Sequence, residues 1–329
     1  MLPFATVEPL RVGLIFVGVL GLLAVAVPAD RPGASQAPSL HFTVGASPAL
    51  KLTDVIWTGT RFFYVENTTN KLFVAGPDGK TTGLFATMPN VVEETRCIPS
   101  PSKFGYPKGG LFCHSPDNRI YRVTAEGTTT VFATLPEPEI SDGALAVDRV
   151  GRFGHLLVAA TGRSGASGGD VYTIDAAGAV RKVGSYPGPG GAENVAVAPA
   201  SFGSHAGSVL ITIDQNNTYG SLLAMDPNGA VTTIARFPDG ANPIAFVPSR
   251  VRKKGVPPAG FYVVDTGLGQ VLFASADQFS AHVGAAIVGT EVKGQIWLVE
   301  PSGAGFETTQ ARTNLTDASY NLEGSKFVP

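Results

Sequence analysis

The chain has 329 residues, of which 44% are hydrophobic and 15% are charged, and its formal net charge is −2. The hydrophobic content excludes an intrinsically disordered chain, and the near-neutral charge excludes binding to nucleic acid through a basic surface. The 40 glycines and 25 prolines favour a fold of many short strands joined by turns.

The first residues are typical of an exported protein. An apolar run, Val12–Val27, follows Arg11. A run of about 16 residues is short for a spanning helix but usual for a signal-peptide core. We therefore predict a signal peptide over residues 1–29, with an uncleaved membrane anchor as the alternative. Residues 30–39 are predicted to be a flexible linker and residues 40–329 a folded domain outside the cytoplasm, secreted or periplasmic.

Six copies of one hairpin pattern follow. They begin at Lys71, Arg119, Asp170, Ser221, Gln270 and Gln295. Five of the six place glycine at the same point of the turn, where the backbone needs a positive φ: Gly79, Gly127, Gly178, Gly229 and Gly303. The first five copies recur about every 50 residues, which predicts a β-propeller or a solenoid.

Each hairpin is preceded by another β-rich run, and most of these by a third run with a polar or acidic start. These third runs begin at Leu52, Val92, Ser141, Gly191 and Gly240, and a similar run at Leu322 ends the chain. We predict an all-β, six-bladed β-propeller with four antiparallel strands in each blade around a central channel. Five and seven blades are alternatives, because the last two hairpins are only half a period apart. The run at Leu322 is predicted to close the ring beside Thr53–Trp57.

The chain contains two cysteines, Cys97 and Cys113, in the predicted first and second strands of one blade. Antiparallel neighbours bring such residues within bonding range, and an exported protein favours their oxidation. We predict a disulfide, with two separate buried thiols as the alternative.

Polar residues at the starts of the inner strands are expected to converge on one mouth of the channel. They are Asp54, Glu93, Glu94, Asp142, Glu193, Asn194, Asn242 and Glu323. The ends of the second strands add Asn67, Asp214, Asp265 and Glu291. Carboxylate and amide oxygens are the ligands that hard divalent cations favour. The alternative is that these residues serve the tight turns beside them, because Asp and Asn are common there.

The inner-strand starts, together with the segment FYVVDTGLGQV, resemble the SMP-30/gluconolactonase/LRE-like group and its NHL-type relatives, which are six-bladed propellers. In the metal-dependent lactonases of that group, Glu, Asn and Asp hold one divalent cation in the channel. The resemblance implies Glu323 of LEGS as the glutamate, with Asp54 of LTDVIW as the rival. It implies Asn242 or Asn194 as the asparagine, and Asp142 as the aspartate.

The resemblance implies a metal-dependent hydrolase in which Ca²⁺, Mg²⁺, Mn²⁺ or Zn²⁺ activates water, and the N-terminal apolar run implies that it is exported. Asp142, Asn194, Asn242 and Glu323 are the predicted ligands, with Glu193 or Asp54 completing the shell or acting as general base. The alternative is a non-catalytic propeller that binds a small molecule, a glycan or a protein. We expect no nucleic-acid partner. We expect contact with a membrane only if the N-terminal segment remains uncleaved. The sequence has no G-x-S-x-G nucleophile elbow.

Overall fold

The computed structural model describes residues 37–48, 50–89, 94–136, 143–162, 168–215, 219–252, 255–317 and 319–329. The predicted signal peptide and most of the predicted linker therefore lie outside the described residues. Within the described ranges, no helix has the length and apolar character needed to span a bilayer.

The first four blades follow the order of the chain. Two short strands, β1 (Ser39–Leu40) and β2 (Thr43–Ala46), come before them. Blade one consists of β3 (Leu52–Trp57), β4 (Phe62–Glu66), β5 (Lys71–Ala75) and β6 (Thr81–Thr87). Blade two consists of β7 (Arg96–Pro99), β8 (Leu111–Ser115), β9 (Arg119–Val123) and β10 (Thr129–Thr134). Blade three consists of β11 (Gly143–Val147), β12 (Leu157–Thr161), β13 (Gly169–Ile174) and β14 (Val180–Tyr186). Blade four consists of β15 (Gly191–Val197), β16 (Val209–Gln215), β17 (Tyr219–Met225) and β18 (Val231–Phe237).

The last two blades are interleaved along the chain. The remaining strands are β19 (Ala241–Phe246), β20 (Gly260–Asp265), β21 (Gln270–Ser275), β22 (Ala286–Thr290), β23 (Ile296–Ser302), β24 (Gly305–Gln310), β25 (Arg312–Thr313) and β26 (Leu322–Val328). Blade five has the order β19-β22-β23-β24, and blade six has the order β26-β20-β21-β2. The chain thus leaves blade five after its first strand, forms the middle of blade six, and then returns. This exchange explains the half-period between the last two hairpins, because the hairpin at Gln270 belongs to blade six and the hairpin at Gln295 to blade five.

The six-bladed all-β architecture predicted from the repeats is confirmed. The inner strands contact one another in the order β3, β7, β11, β15, β19, β26 and back to β3. The described helices are three short 3₁₀ segments, Ser102–Phe104, Gly203–His205 and Ala276–Phe279. Strands such as β12 and β20 are buried along their whole length, because neighbouring blades pack on both of their faces.

Both ends of the folded chain close the ring. The N-terminal β2 is the outermost strand of blade six and pairs with β21, whereas the C-terminal β26 is its innermost strand. β26 lies beside β3 as expected, but its hydrogen bonds are with β20. The side-chain amide of Asn314 also bonds both backbone groups of Phe42, at 2.7 and 2.9 Å, and Gln278 does the same for His41.

Cys97 and Cys113 form a disulfide between opposite residues of β7 and β8. The predicted bridge is therefore confirmed. Disulfides persist mainly in proteins outside the cytoplasm, so the bridge agrees with an extracytoplasmic location.

Candidate functional site

Irregular pairing at the start of three inner strands sets the directions of their polar side chains. The register of β15 skips Glu193, that of β19 skips Asn242 and Pro243, and that of β26 skips Glu323 and Gly324. A β-bulge re-aims side chains, and it also accommodates a proline, which cannot donate to the ladder. The bulges therefore place two glutamates and an asparagine, from three successive blades, together at one mouth of the channel.

Asn242 lies at the centre of this group. It is fully buried, and its Nδ2 lies 2.7 Å from Glu291 Oε1, 2.7 Å from Glu323 Oε2 and 3.2 Å from Glu193 Oε2. An amide nitrogen carries only two hydrogens, so three carboxylates share one donor group. The arrangement concentrates negative charge where little water reaches, since Glu193, Glu291 and Glu323 are 7%, 9% and 5% exposed.

The carboxylates of Glu193, Asp214 and Glu291 lie close enough together at this mouth to bind one cation. One oxygen from each of Glu193, Asp214 and Glu291 lies within 4.8 Å of the other two. Oxygens bound to Ca²⁺ lie about 2.3–2.6 Å from the ion, so ligands of one ion are separated by at most about 5 Å. Gly240 makes room for this group, since a β-carbon there would lie 2.5 Å from Asp214 Oδ1. The donor set is purely oxygen and fits a hard divalent cation.

Arg96 reaches the same group from blade two. Its Nη2 donates to Glu323 Oε2 at 2.7 Å and to Asn242 Oδ1 at 3.1 Å, and its Nη1 donates to the Thr53 carbonyl. The arginine is only 3% exposed. It therefore joins blade two to blades one, five and six. It also adds one positive charge beside four carboxylates, those of Glu193, Asp214, Glu291 and Glu323.

The protonation of the group reflects this charge imbalance. Burial, reinforced by the charge of Glu323, raises the pKa of Glu291 to about 9. Burial likewise raises the pKa of Glu323 to about 7, although Arg96 acts in the opposite direction. Without a further cation, burial and the neighbouring carboxylate favour the protonated form of Glu291.

The other predicted site residues have different surroundings. The carboxylate of Asp54 accepts the backbone N–H groups of Val55 at 2.8 Å and Cys97 at 2.9 Å, and burial raises its pKa. The amide oxygen of Asn194 accepts the N–H of Val195 at 3.0 Å. These oxygens fix the backbone of the inner strands. Asp142 and Glu93 lie outside the described residues.

The structure thus brings together Glu193, Asn242 and Glu323 from the predicted ligands and bases, and adds Asp214 and Glu291 from the wider predicted ring. Sequence reasoning missed Arg96. The available signal was a charged residue at the start of the predicted inner strand, directly before Cys97 and Ile98.

Fold and site define the chain as a six-bladed β-propeller with a buried acidic group at one channel mouth. No protein-family model matches the chain, and no curated protein matches it in sequence. A crystal structure of a glucose dehydrogenase is similar, with 12% identity and a TM-score of 0.55 over 83% of this chain and 92% of that chain. A second glucose dehydrogenase structure has 12% identity and a TM-score of 0.51 over 83% and 91%. At this identity the similarity shows the propeller fold alone.

Proposed function

We propose that the chain is an exported hydrolase of lactones or related esters, with a divalent cation held at the channel mouth by Glu193, Asp214 and Glu291. The observation that carries the proposal is the convergence of these three carboxylates within 4.8 Å. Calcium, magnesium or manganese suits this all-oxygen set. The lactone substrate class comes from the resemblance of the inner strands to the SMP-30/gluconolactonase group.

The proposal changes the ligand set implied by that resemblance. Asn242 contacts all three glutamates and holds them in place. Glu323 is paired with Arg96, so its charge is already partly compensated. We therefore assign Asn242 and Glu323 to positioning and proton transfer, and the three other carboxylates to the cation.

Glu323 is the general base in this proposal. A base works best when its pKa lies near the working pH, and the pKa of Glu323 is raised to about 7. Arg96 and Asn242 both contact Oε2, so Oε1 is the atom assigned to take the proton from water. Arg96 holds this carboxylate in one orientation. When bound, the cation supplies polarisation of the ester carbonyl and a lower pKa for the attacking water.

The test is hydrolysis of a panel of five- and six-membered lactones, followed by titration of the acid released. The protein is treated with EDTA, and Ca²⁺, Mg²⁺, Mn²⁺ or Zn²⁺ is then restored. We expect turnover with at least one ion, and a loss of about 10²–10⁴-fold in kcat for Glu323→Gln. The matched control is Glu300→Gln, which replaces a half-buried carboxylate paired with His282, and it should retain full activity. A folded, metal-loaded chain that hydrolyses none of the panel refutes the enzyme proposal.

A second candidate is a non-catalytic propeller that binds a small molecule or a glycan at the same mouth. The observation that favours it is the Arg96–Glu323 ion pair, which ties four blades together and serves stability without any reaction. In that case an ion raises the melting temperature by mass action, yet no lactone is hydrolysed.

A further inference from the structure

An open groove of about 500 Å³ lies on the same face as the acidic mouth. One wall is the turn between β20 and β21, residues 266–269, and the other is formed by Leu50 and Lys51, which lead into blade one. Asn321 lines the groove and directly precedes β26, which carries Glu323. Two residues of extended chain span about 7 Å, so the groove adjoins the proposed catalytic base.

The walls of the groove are fixed by hydrogen bonds to Asp265 and Thr266. Asp265 is fully buried, and its Oδ1 accepts the N–H of Leu268 at 3.3 Å and that of Asn321 at 3.1 Å. The hydroxyl of Thr266 donates to the carbonyl of Leu52, and the backbone N–H of Thr266 donates to the carbonyl of Asn321 at 2.8 Å. The groove is therefore shaped before any ligand binds, as small-molecule sites usually are.

Gly267 shows how closely these segments approach. A β-carbon at this position would lie 2.0 Å from the carbonyl oxygen of Ser319. Only glycine permits this approach of the turn to the segment before β26.

Two features of the walls indicate the chemistry of a ligand. The side chain of Leu268 is 46% exposed and, with Leu50, offers an apolar surface. The Oδ1 atom of Asn321 is buried and has no hydrogen-bond partner among the described residues. An acceptor left in this state costs free energy, which a ligand donor would recover. The terminal torsion of asparagine is broad, so the amide of Asn321 can turn at little cost to meet a donor in the groove that this residue lines.

We propose that this groove binds the side chain of the substrate, and that this side chain combines a hydrocarbon chain with a hydrogen-bond donor next to the reacting ring. The inference rests on the proposed hydrolysis at the channel mouth. The hydrocarbon lies against Leu268 and Leu50, and the donor bonds to Asn321 Oδ1.

The test compares five-membered lactones that carry an acylamino side chain of four or eight carbons. Full burial of a methylene contributes about 0.8 kcal/mol, a factor of about four, and an open groove buries about half of each group. We expect about twofold per methylene, and hence about 16-fold in kcat/KM between the two substrates. Leu268→Ser should remove most of this difference. Val283→Ser, which removes an apolar side chain with 54% exposure from the loop before β22, is the matched control and should keep it.

The donor is tested with Asn321→Leu, which keeps the backbone N–H that Asp265 accepts. The chain should prefer the acylamino lactone over the matching acyloxy lactone, which has no N–H, and Asn321→Leu should lose this preference. Equal kcat/KM for short and long side chains, or an unchanged chain-length effect in Leu268→Ser, overturns the groove proposal.

A binding measurement separates the two proposals. The corresponding lactams resist hydrolysis, and their affinity is measured by calorimetry. Lactam binding that strengthens with chain length, in a protein that hydrolyses no lactone, supports the groove and refutes the hydrolase. Lactone turnover without any chain-length effect in binding or kcat/KM supports the hydrolase and refutes the groove. A protein that shows neither turnover nor a chain-length effect refutes both the hydrolase and the groove.

Discussion

Replacing Arg96 with methionine removes the positive charge from the acidic group while keeping most of the side-chain volume. The guanidinium is 2.7 Å from Glu323 Oε2, and the residues are 3% and 5% exposed. Removing one partner of a buried ion pair destabilises a protein by about 3–5 kcal/mol, because the other charge is left unpaired. We expect a loss of this size in the free energy of unfolding of the metal-free chain at neutral pH.

The loss should depend on pH in a specific way. The folded pKa of Glu323, about 7, exceeds its reference value of 4.5, so its contribution to stability falls as pH rises between these values. Arg96 lowers the folded pKa, so in Arg96→Met the fall continues to higher pH. Below pH 7 the difference between the two proteins should be constant. Above pH 7 it should grow by up to about 1.4 kcal/mol per pH unit.

The assay is urea unfolding in EDTA at pH 6, 7, 8 and 9, with Arg96→Met compared with the original chain. Glu323→Gln in the Arg96→Met background should recover about 2 kcal/mol at pH 8, since it removes a buried carboxyl that must hold a proton when Arg96 is absent. A destabilisation below about 1 kcal/mol, or one that is the same at pH 6 and pH 9, refutes the reasoning.

Three further changes test other parts of the structure. Burial raises the pKa of Glu291 from 4.5 to about 9, so the metal-free chain should lose stability as pH rises through this interval, and Glu291→Gln should reduce that slope in urea titrations. Gly143→Ala places a β-carbon 2.1 Å from the buried imidazole of His114 and should cost about 1–3 kcal/mol, whereas Gly305→Ala, with open space around it, should cost little by the same assay. Serine at both bridged cysteines, which are 16 residues apart, should lower the free energy of unfolding by about 3 kcal/mol, and an unchanged melting temperature would contradict this.

The blade number could be predicted because the hairpin is a local structure. Glycine is needed at the turns with positive φ, such as Gly178 and Gly229, whatever the rest of the chain does. The assignment of hairpins to blades could not be predicted, because it depends on which distant strands pair. The half-period between Gln270 and Gln295 was the visible sign of the exchange between blades five and six, but the sequence does not say which strand moves.

The candidate site was predictable to the extent that strand direction determines it. Strands that start at one mouth bring Glu193, Asn242 and Glu323 to the same end of the channel. Whether a side chain at that end faces the neighbouring blades or bonds the backbone of its own strand depends on which residue the β-bulge in that strand leaves unpaired. Glu193 is the residue that β15 skips and joins the acidic group, whereas the amide oxygen of the next residue, Asn194, accepts a backbone N–H. Bulge positions depend on tertiary packing and are not visible in the sequence.

The contacts of Arg96 could not be predicted from the sequence either. It lies at the start of its strand and contacts Asn242 and Glu323, which are separated from it by 146 and 227 positions along the chain. No local pattern encodes a contact of this separation. It follows only from closure of the ring, which places blade two across the channel from blades five and six.

The most direct test of the cation site is calorimetric titration of the EDTA-treated chain with Ca²⁺ and Mn²⁺ at pH 7, in two buffers of different ionisation enthalpy. The proposed cation site should bind one ion per chain, with release of a proton from Glu291 and at least tenfold weaker binding in Asp214→Asn. No binding of either ion, or binding that Asp214→Asn and Glu291→Gln leave unchanged, would contradict it.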